Sequence, residues 1–211
     1  LHVKEIIIWT DGSSSGNDSG PGGYAAVICI GKDEILIGGG CSRTTNQKME
    51  LMAAITALEY LTEPTRVTLH TDSAYVSNCF LQGWWERWLT NGWRDSKKKP
   101  VRNRVLWERL MRLNEFHEVM WCKVKGHSAD FPMNERCDRL AAAQKMLHSP
   151  EIRMARTART DLSAPAATAR RTRVRHAPAW KSLSASALRA HLLATPTLSD
   201  SAWADLRAPG E

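Results

Sequence analysis

The sequence predicts an α/β fold, a mixed sheet with helices on its faces. Three observations carry that expectation. Three apolar runs rich in β-branched residues stand close together near the start, at the spacing of antiparallel neighbours. Beyond them, segments with helical periodicity alternate with short strand-like runs. After residue 148 sustained periodicity stops, and the composition turns to Ala, Arg, Thr, Ser and Pro.

Residues 3–10 are apolar and β-branched and read as a buried strand. Residues 23–30 and 35–41 form two further strands, with Gly31-Lys32-Asp33-Glu34 as their hairpin connection. In residues 44–61, Leu51, Ile55 and Leu58 recur at helical spacing; Thr44 and Gln47 offer a capping box, and Pro64 lies beyond the end. Residues 67–72 are a short strand, and 73 to about 88 are helix-compatible. A polar interruption precedes a helix over 101–113, with Leu106, Leu110 and Leu113 on one face. Residues 118–124 predict another strand and 134–147 a last helix, which Asn134 can cap.

Two regions follow: a globular domain over 1–148 and a tail over 149–211, whose composition predicts disorder. The cluster Arg170-Arg171-Thr172-Arg173-Val174-Arg175 keeps open a reading of the tail as a basic nucleic-acid-binding arm. The composition, 43% hydrophobic and 24% charged, is that of a soluble globular protein. No apolar run approaches the roughly 20 residues that span a bilayer, so no membrane association is expected. Five scattered cysteines without a C-x-x-C pair argue against a disulfide framework or a zinc site and for a reducing, cytoplasmic setting. Net charge is +7, but the tail alone carries 10 Lys+Arg against 5 Asp+Glu. A global charge argument for a nucleic-acid partner therefore fails, and only local patches can carry it.

Trp9-Thr10-Asp11-Gly12-Ser13 and His70-Thr71-Asp72-Ser73-Ala74 share one plan: an apolar strand, Thr, Asp, then small residues. If the strands are parallel neighbours, their carboxylates meet at the carboxyl end of the sheet. Taken singly, Asp11 reads as a turn residue and Asp72 as a helix cap. Glu50 adds a third acid, one turn into a helix and flanked by the small side chains of Ala53, Ala54 and Ala57. Asp138 is a fourth, one turn after Asn134 and on the same helix face. Just upstream, Val124-Lys125-Gly126-His127-Ser128 offers an imidazole in a loop, a candidate for proton transfer. Crowded carboxylates repel one another unless cations neutralise them, and hard oxygen ligands select Mg²⁺ or Mn²⁺ over zinc. Two such ions about 4 Å apart suit phosphodiester hydrolysis. No G-x-x-x-x-G-K-[ST] is present, which excludes a P-loop.

These residues stand in an ordered set of motifs that resembles the type 1 ribonucleases H. The set comprises Thr10-Asp11-Gly12-Ser13, Gly20-Pro21-Gly22-Gly23-Tyr24, Arg43-Thr44-Thr45-Asn46, Met49-Glu50-Leu51-Met52-Ala53-Ala54, Thr71-Asp72-Ser73, Lys98-Lys99-Pro100-Val101, Leu106-Trp107, Val124-Lys125-Gly126-His127 and Asn134-Glu135-Arg136-Cys137-Asp138. The resemblance covers residues 1 to about 147. It implies a five-stranded mixed sheet with strands one to three antiparallel, and a metal-dependent endonuclease that cuts the RNA strand of RNA/DNA hybrids to 5′-phosphate and 3′-hydroxyl ends. It implies two Mg²⁺ ions, replaceable by Mn²⁺, on Asp11, Glu50, Asp72 and Asp138, with His127 in proton transfer and product release. Asn46, Asn17 and Thr45 match substrate-contacting positions, the last two near a DNA-strand phosphate pocket, and Gln47 and Asn134 are also expected to contact substrate. Gln47 stands where a second Asn is frequent, and the loop at Asn17-Asp18-Ser19-Gly20 is one residue longer than the common pattern.

From Trp84 to Arg102, four tryptophans are interleaved with Arg87, Arg94, Lys97, Lys98, Lys99 and Arg102. Basic side chains of this kind track phosphates, and aromatic faces contact sugars and bases, so Trp84, Trp88, Trp93 and the three lysines are expected to meet substrate. Packing of helices by about half of the tryptophans is the other reading. In the family this segment is a basic protrusion that grips the hybrid, which implies that a monomer binds substrate without a separate hybrid-binding module. Hybrid selectivity without strong base specificity is expected, because a 2′-hydroxyl contact marks the RNA strand. The alternatives are a hybrid-binding module that does not cut, which should have lost an acid, and a transposase or integrase of related fold, against which the Trp/Lys segment and the Gly-His-Ser loop argue.

Overall fold

A computed structural model describes residues 6–16 and 20–152. Within it the elements run β1 (Ile6–Ser14), β2 (Gly20–Ile30), β3 (Asp33–Thr44), α1 (Asn46–Tyr60), β4 (Arg66–Thr71), α2 (Ala74–Leu81), α3 (Trp84–Thr90), α4 (Arg104–Phe116), β5 (Glu118–Lys123) and α5 (Pro132–Leu147). The five strands form one sheet in the order β3-β2-β1-β4-β5. Strands β1 to β3 are antiparallel, while β4 runs parallel to both β1 and β5.

Alternation along the central strands decides what packs where. Ile6, Ile8, Val67 and Leu69 point to the face covered by α1, whose Leu51, Met52, Ile55 and Leu58 are fully enclosed. Helix α1 is buried on nearly every side, as its run of small and apolar residues requires, because α4 and Trp107 close over its far face. Helix α5 covers the opposite face across β1, β2 and β3. It approaches closely there because Gly23 has no Cβ, which would otherwise collide with the backbone of Ala141 and Lys145.

Several boundaries differ from expectation for local reasons. Strand β1 continues through the Gly/Ser segment to Ser14, where Ser13 pairs Gly23 and Ser14 pairs Gly22; Asp11 thus lies inside the strand, opposite Ala25, and is not a turn residue. The β2–β3 hairpin tightens to Gly31 and Lys32, Gly31 taking φ +64°. Thr45, not Thr44, caps α1 by accepting from the Lys48 N–H at 3.2 Å, so the capping box with Gln47 does not form. Residues 73–88 are two helices, α2 and α3, because Gly83 adopts φ +61° between them. Ser73 caps α2, leaving the neighbouring Asp72 side chain uncommitted to that role. Helix α5 starts at Pro132 after Phe131, and Asn134 is therefore inside its first turn and not its cap.

No helix among the described residues is long and apolar enough to cross a membrane. None of the five cysteines is in a disulfide. The tail beyond residue 152, and Asn17 in the β1–β2 connection, lie outside the described residues.

Candidate active site

Parallel pairing of β1 with β4, with Thr10 opposite Thr71, brings the next residue of each strand side by side. Those residues are Asp11 and Asp72. Helix α1 meets them from the α1 face, because Gly12 lets the β1 backbone lie directly against the backbone of Met49 and Glu50. A side chain at position 12 would strike the Glu50 N–H, so glycine is required by this close approach. The result is three carboxylates from β1, α1 and the end of β4, with one oxygen from each within 4.8 Å of the others.

Each acid has one oxygen held by an N–H donor. The Gly12 N–H donates to Asp11 Oδ1 at 2.7 Å, Asn46 Nδ2 to Glu50 Oε1 at 3.1 Å, and Asn134 Nδ2 to Asp72 Oδ2 at 3.2 Å. Glu50 Oε2 is buried without a hydrogen-bond partner among the described residues. Glu50 is only 7% exposed and Asp11 5%. Burial first, then the charge of Asp72, pushes the Asp11 carboxyl up to about 7; the Gly12 N–H opposes this and Asp138 reinforces it. Burial first, then Asp11 and Asp72, likewise holds Glu50 well above the ordinary carboxylate range, against the Asn46 amide. An all-oxygen set of crowded acids with a buried oxygen lacking a partner fits a hard divalent cation, whose charge would remove this repulsion.

Asp138 on α5 flanks the cluster. Its Oδ2 lies 3.9 Å from His127 Nδ1, and the His127 side chain is 85% exposed. His127 takes φ +51° in the loop before α5, a left-handed conformation that turns its ring out to solvent beside the acids. Gly126 is pressed against Asp72, since a Cβ there would stand 2.6 Å from Asp72 Oδ2.

Beyond the acids lies a groove of about 560 Å³ lined by Gln47, Tyr75, Trp84, Arg87, Arg94 and Arg102, among others. Lys97, Lys98 and Lys99 are exposed on the turn beside it. That turn is built on Asp95, whose Oδ1 accepts from the Lys97 and Lys99 N–H groups, both at 2.8 Å. The tryptophans divide. Trp84 is partly exposed and lines the groove, as does one side of Trp88. Trp88 and Trp93 are otherwise buried, stacked on one another at 5.8 Å, with Trp88 edge-on to Trp107 at 5.3 Å and the Arg104 guanidinium over Trp93 at 4.8 Å. Trp93, expected to meet substrate, is 8% exposed, is not among the groove-lining residues and spends most of its ring on helix packing. Asn134, also expected to touch substrate, is 2% exposed and faces Asp72 instead. Thr45 already spends its hydroxyl on the Lys48 N–H. Tyr75 was not singled out from the sequence, where it reads as one more apolar position of a helix. Its hydroxyl accepts from Trp107 Nε1 at 3.0 Å and Asn103 Nδ2 at 3.3 Å, fixing one wall of the groove to α4.

Comparison with known proteins agrees with this arrangement. The profile of the RNase H family matches residues 3–146. The ribonuclease H of Moorella thermoacetica is 52% identical over 141 residues, 67% of this chain and 91% of that protein. The ribonuclease H of Acetivibrio thermocellus is 50% identical over 139 residues, 66% and 93% respectively. Among solved structures, LC9-RNase H1, a type 1 RNase H, superposes with a TM-score of 0.59 at 25% identity, covering 69% of this chain and 74% of that one. The RNase H domain of prototype foamy virus shares the fold with a TM-score of 0.56 at 24% identity, covering 68% and 96%. With the family match over most of the chain, the acid cluster and relatives of about half-identical sequence, the chain belongs to the ribonuclease H family, type 1, whose members are metal-dependent endonucleases.

Proposed function

We propose that this protein hydrolyses the RNA strand of RNA/DNA hybrids at the Asp11–Glu50–Asp72 cluster, with Asp138 completing the acid set and Mg²⁺ as the ion, Mn²⁺ substituting. The observation that carries this reading is the three converging carboxylates, one of them with a buried oxygen lacking any partner. When bound, divalent ions would supply charge to offset the scissile phosphate and would lower the pKa of a water. The chain's own residues do the rest. Asp11, Glu50 and Asp72 would hold the cations, and the donor on one oxygen of each keeps the carboxylate from rotating away. Hydrolysis joins the water oxygen to phosphorus and breaks the P–O3′ bond, leaving a 5′-phosphate and a 3′-hydroxyl.

His127 holds its Nδ1 toward Asp138 and leaves Nε2 in solvent, a position from which it takes a proton and passes it to bulk water. Arg87, Arg94, Arg102 and the Lys97–Lys99 turn supply the cationic track for the non-cleaved strand. Asn46 and Gln47 stand where that groove meets the acids and are the readers of the cut strand, with Trp84 as an apolar contact. Thr45, at the start of α1, is a further substrate contact in this reading, as is Asn17. On the same reading the protein acts as a monomer in the cytoplasm during replication and repair. Residues 1–148 are the catalytic unit, with 149–211 as an appendage.

The direct test offers four end-labelled substrates in Mg²⁺: RNA/DNA hybrid, double-stranded RNA, double-stranded DNA and single-stranded RNA, with Asp11→Asn as control. Cleavage confined to the hybrid's RNA strand and lost in the variant is expected. Tight hybrid binding without cleavage would refute the catalytic reading.

A further inference from the structure

Asn134 sits in the first turn of α5 and is 2% exposed. An amide so enclosed has no surface to offer a nucleic acid. Its Nδ2 donates to Asp72 Oδ2 at 3.2 Å, while its Oδ1 is equally buried and has no partner among the described residues. Filling this space with an aliphatic side chain would avoid stranding a carbonyl oxygen, so volume alone does not account for an amide here.

The neighbouring acids suggest what it does. At Asp11 and Glu50 an N–H group also occupies one carboxylate oxygen, from Gly12 and Asn46. Asn134 completes that pattern at the third acid, and Gly126 lies so close to the same Oδ2 that a Cβ there would stand 2.6 Å from it. The amide is itself held firmly. The Asn134 N–H donates to Phe131 O at 3.0 Å, the Phe131 ring leans on Trp9 with centroids 6.4 Å apart, and the Cys137 thiol donates to Trp9 O at 3.3 Å. Helix α5 is thereby pinned to β1, the strand that carries Asp11.

We propose that Asn134 is a positioning residue of the cation site: by holding Asp72 Oδ2 it leaves Asp72 Oδ1 as the ligand oxygen and sets the affinity of the acid cluster for a divalent cation, without touching substrate. This rests on the reading of the cluster as the cation site given above. Donors to ligating carboxylates commonly change metal affinity 10- to 100-fold when removed.

The test compares full-length wild type with Asn134→Leu, which keeps the branched shape and removes the donor, and Asn134→Ala, which keeps the proposal testable should the bulkier leucine variant misfold by circular dichroism. Three quantities are measured: Mg²⁺ binding to the metal-free protein by calorimetry, the Mg²⁺ concentration giving half-maximal hybrid cleavage, and hybrid Kd in EDTA. Both variants should weaken Mg²⁺ binding by about 10- to 100-fold, raise half-maximal Mg²⁺ by a similar factor, and leave hybrid Kd in EDTA within about twofold of wild type. A tenfold loss of hybrid affinity in EDTA with Mg²⁺ binding unchanged would make Asn134 a substrate contact, and no change in either would make it a packing residue; both results overturn the proposal. Failure of the wild type itself to bind Mg²⁺ would instead remove the cation-site reading on which the proposal stands.

Discussion

Replacing Asp11 by Asn should stabilise the metal-free protein while abolishing cleavage, and the stabilisation should grow with pH. The Asp11 carboxyl is raised from 3.8 to about 7, chiefly by burial and by Asp72. At about 1.4 kcal/mol per unit, keeping it ionised in the folded state costs about 4 kcal/mol. Between those two values the folded protein retains a proton that the unfolded chain has released. Stability from this group is thus fully present below pH 3.8 and is lost as pH rises through about 7. An asparagine has no such loss. In urea unfolding with EDTA, the variant should exceed wild type by about 2 kcal/mol at pH 5 and about 4 kcal/mol at pH 8. The same substitution relieves Glu50, for which Asp11 is the largest of the charge contributions, so the direction is reinforced. Saturating Mg²⁺ should narrow the gap at pH 8, since a bound cation supplies the compensation that the apo cluster lacks. A gap independent of pH would refute the reasoning, because it would mean the Asp11 carboxylate is not held under electrostatic tension.

Three further outcomes are expected. Gly126→Ala places a methyl 2.6 Å from Asp72 Oδ2 and should cut hybrid cleavage at least tenfold at limiting Mg²⁺; unchanged Mg²⁺ dependence would show that the loop gives way without moving Asp72. Replacing Lys97, Lys98 and Lys99 together by Ala should raise KM and reduce the slope of log affinity against log salt by about 0.9 for each lost phosphate contact on the duplex-DNA scale. The turn itself should survive, because Asp95 accepts from backbone N–H groups that alanine retains, so an unchanged slope would remove these lysines from the interface. A chain ending at residue 152 should keep hybrid cleavage and its melting temperature, since the sheet, α1 and α5 are complete by Leu147; loss of folding would mean that the tail contributes to the core.

Asp11, Glu50 and Asp72, which the fold brings together, could be singled out in the sequence because hard-cation chemistry demands carboxylates and because two of them share a strand-Thr-Asp plan that is visible without coordinates; Asp138 and His127 are proposed members of the same site. The five strands, the hairpin at Gly31 and the helix around Leu51, Ile55 and Leu58 were legible for a related reason: side-chain periodicity is a local property of the backbone. Boundaries were less so. The break at Gly83 depends on a left-handed backbone angle, and the extension of β1 through Gly12, Ser13 and Ser14 depends on pairing with Gly22 and Gly23, a partner that local propensity does not contain.

Tertiary structure alone decided how the amides and tryptophans were used. Asn134 and Trp93 look from the sequence like substrate contacts, because polar and aromatic side chains near a nucleic-acid motif usually are. Folding buried one against Asp72 and the other between Trp88 and Arg104. Sequence by itself therefore determined which chemistry the chain carries, through residue types that have no substitutes as cation ligands. The ties on Asp11 and Glu50 are local, from Gly12 beside the one and from Asn46 a turn before the other, whereas the convergence of the three acids and the donor to Asp72, which comes from Asn134 on α5, were decided only by tertiary packing, because residues far apart in the chain had to be brought together.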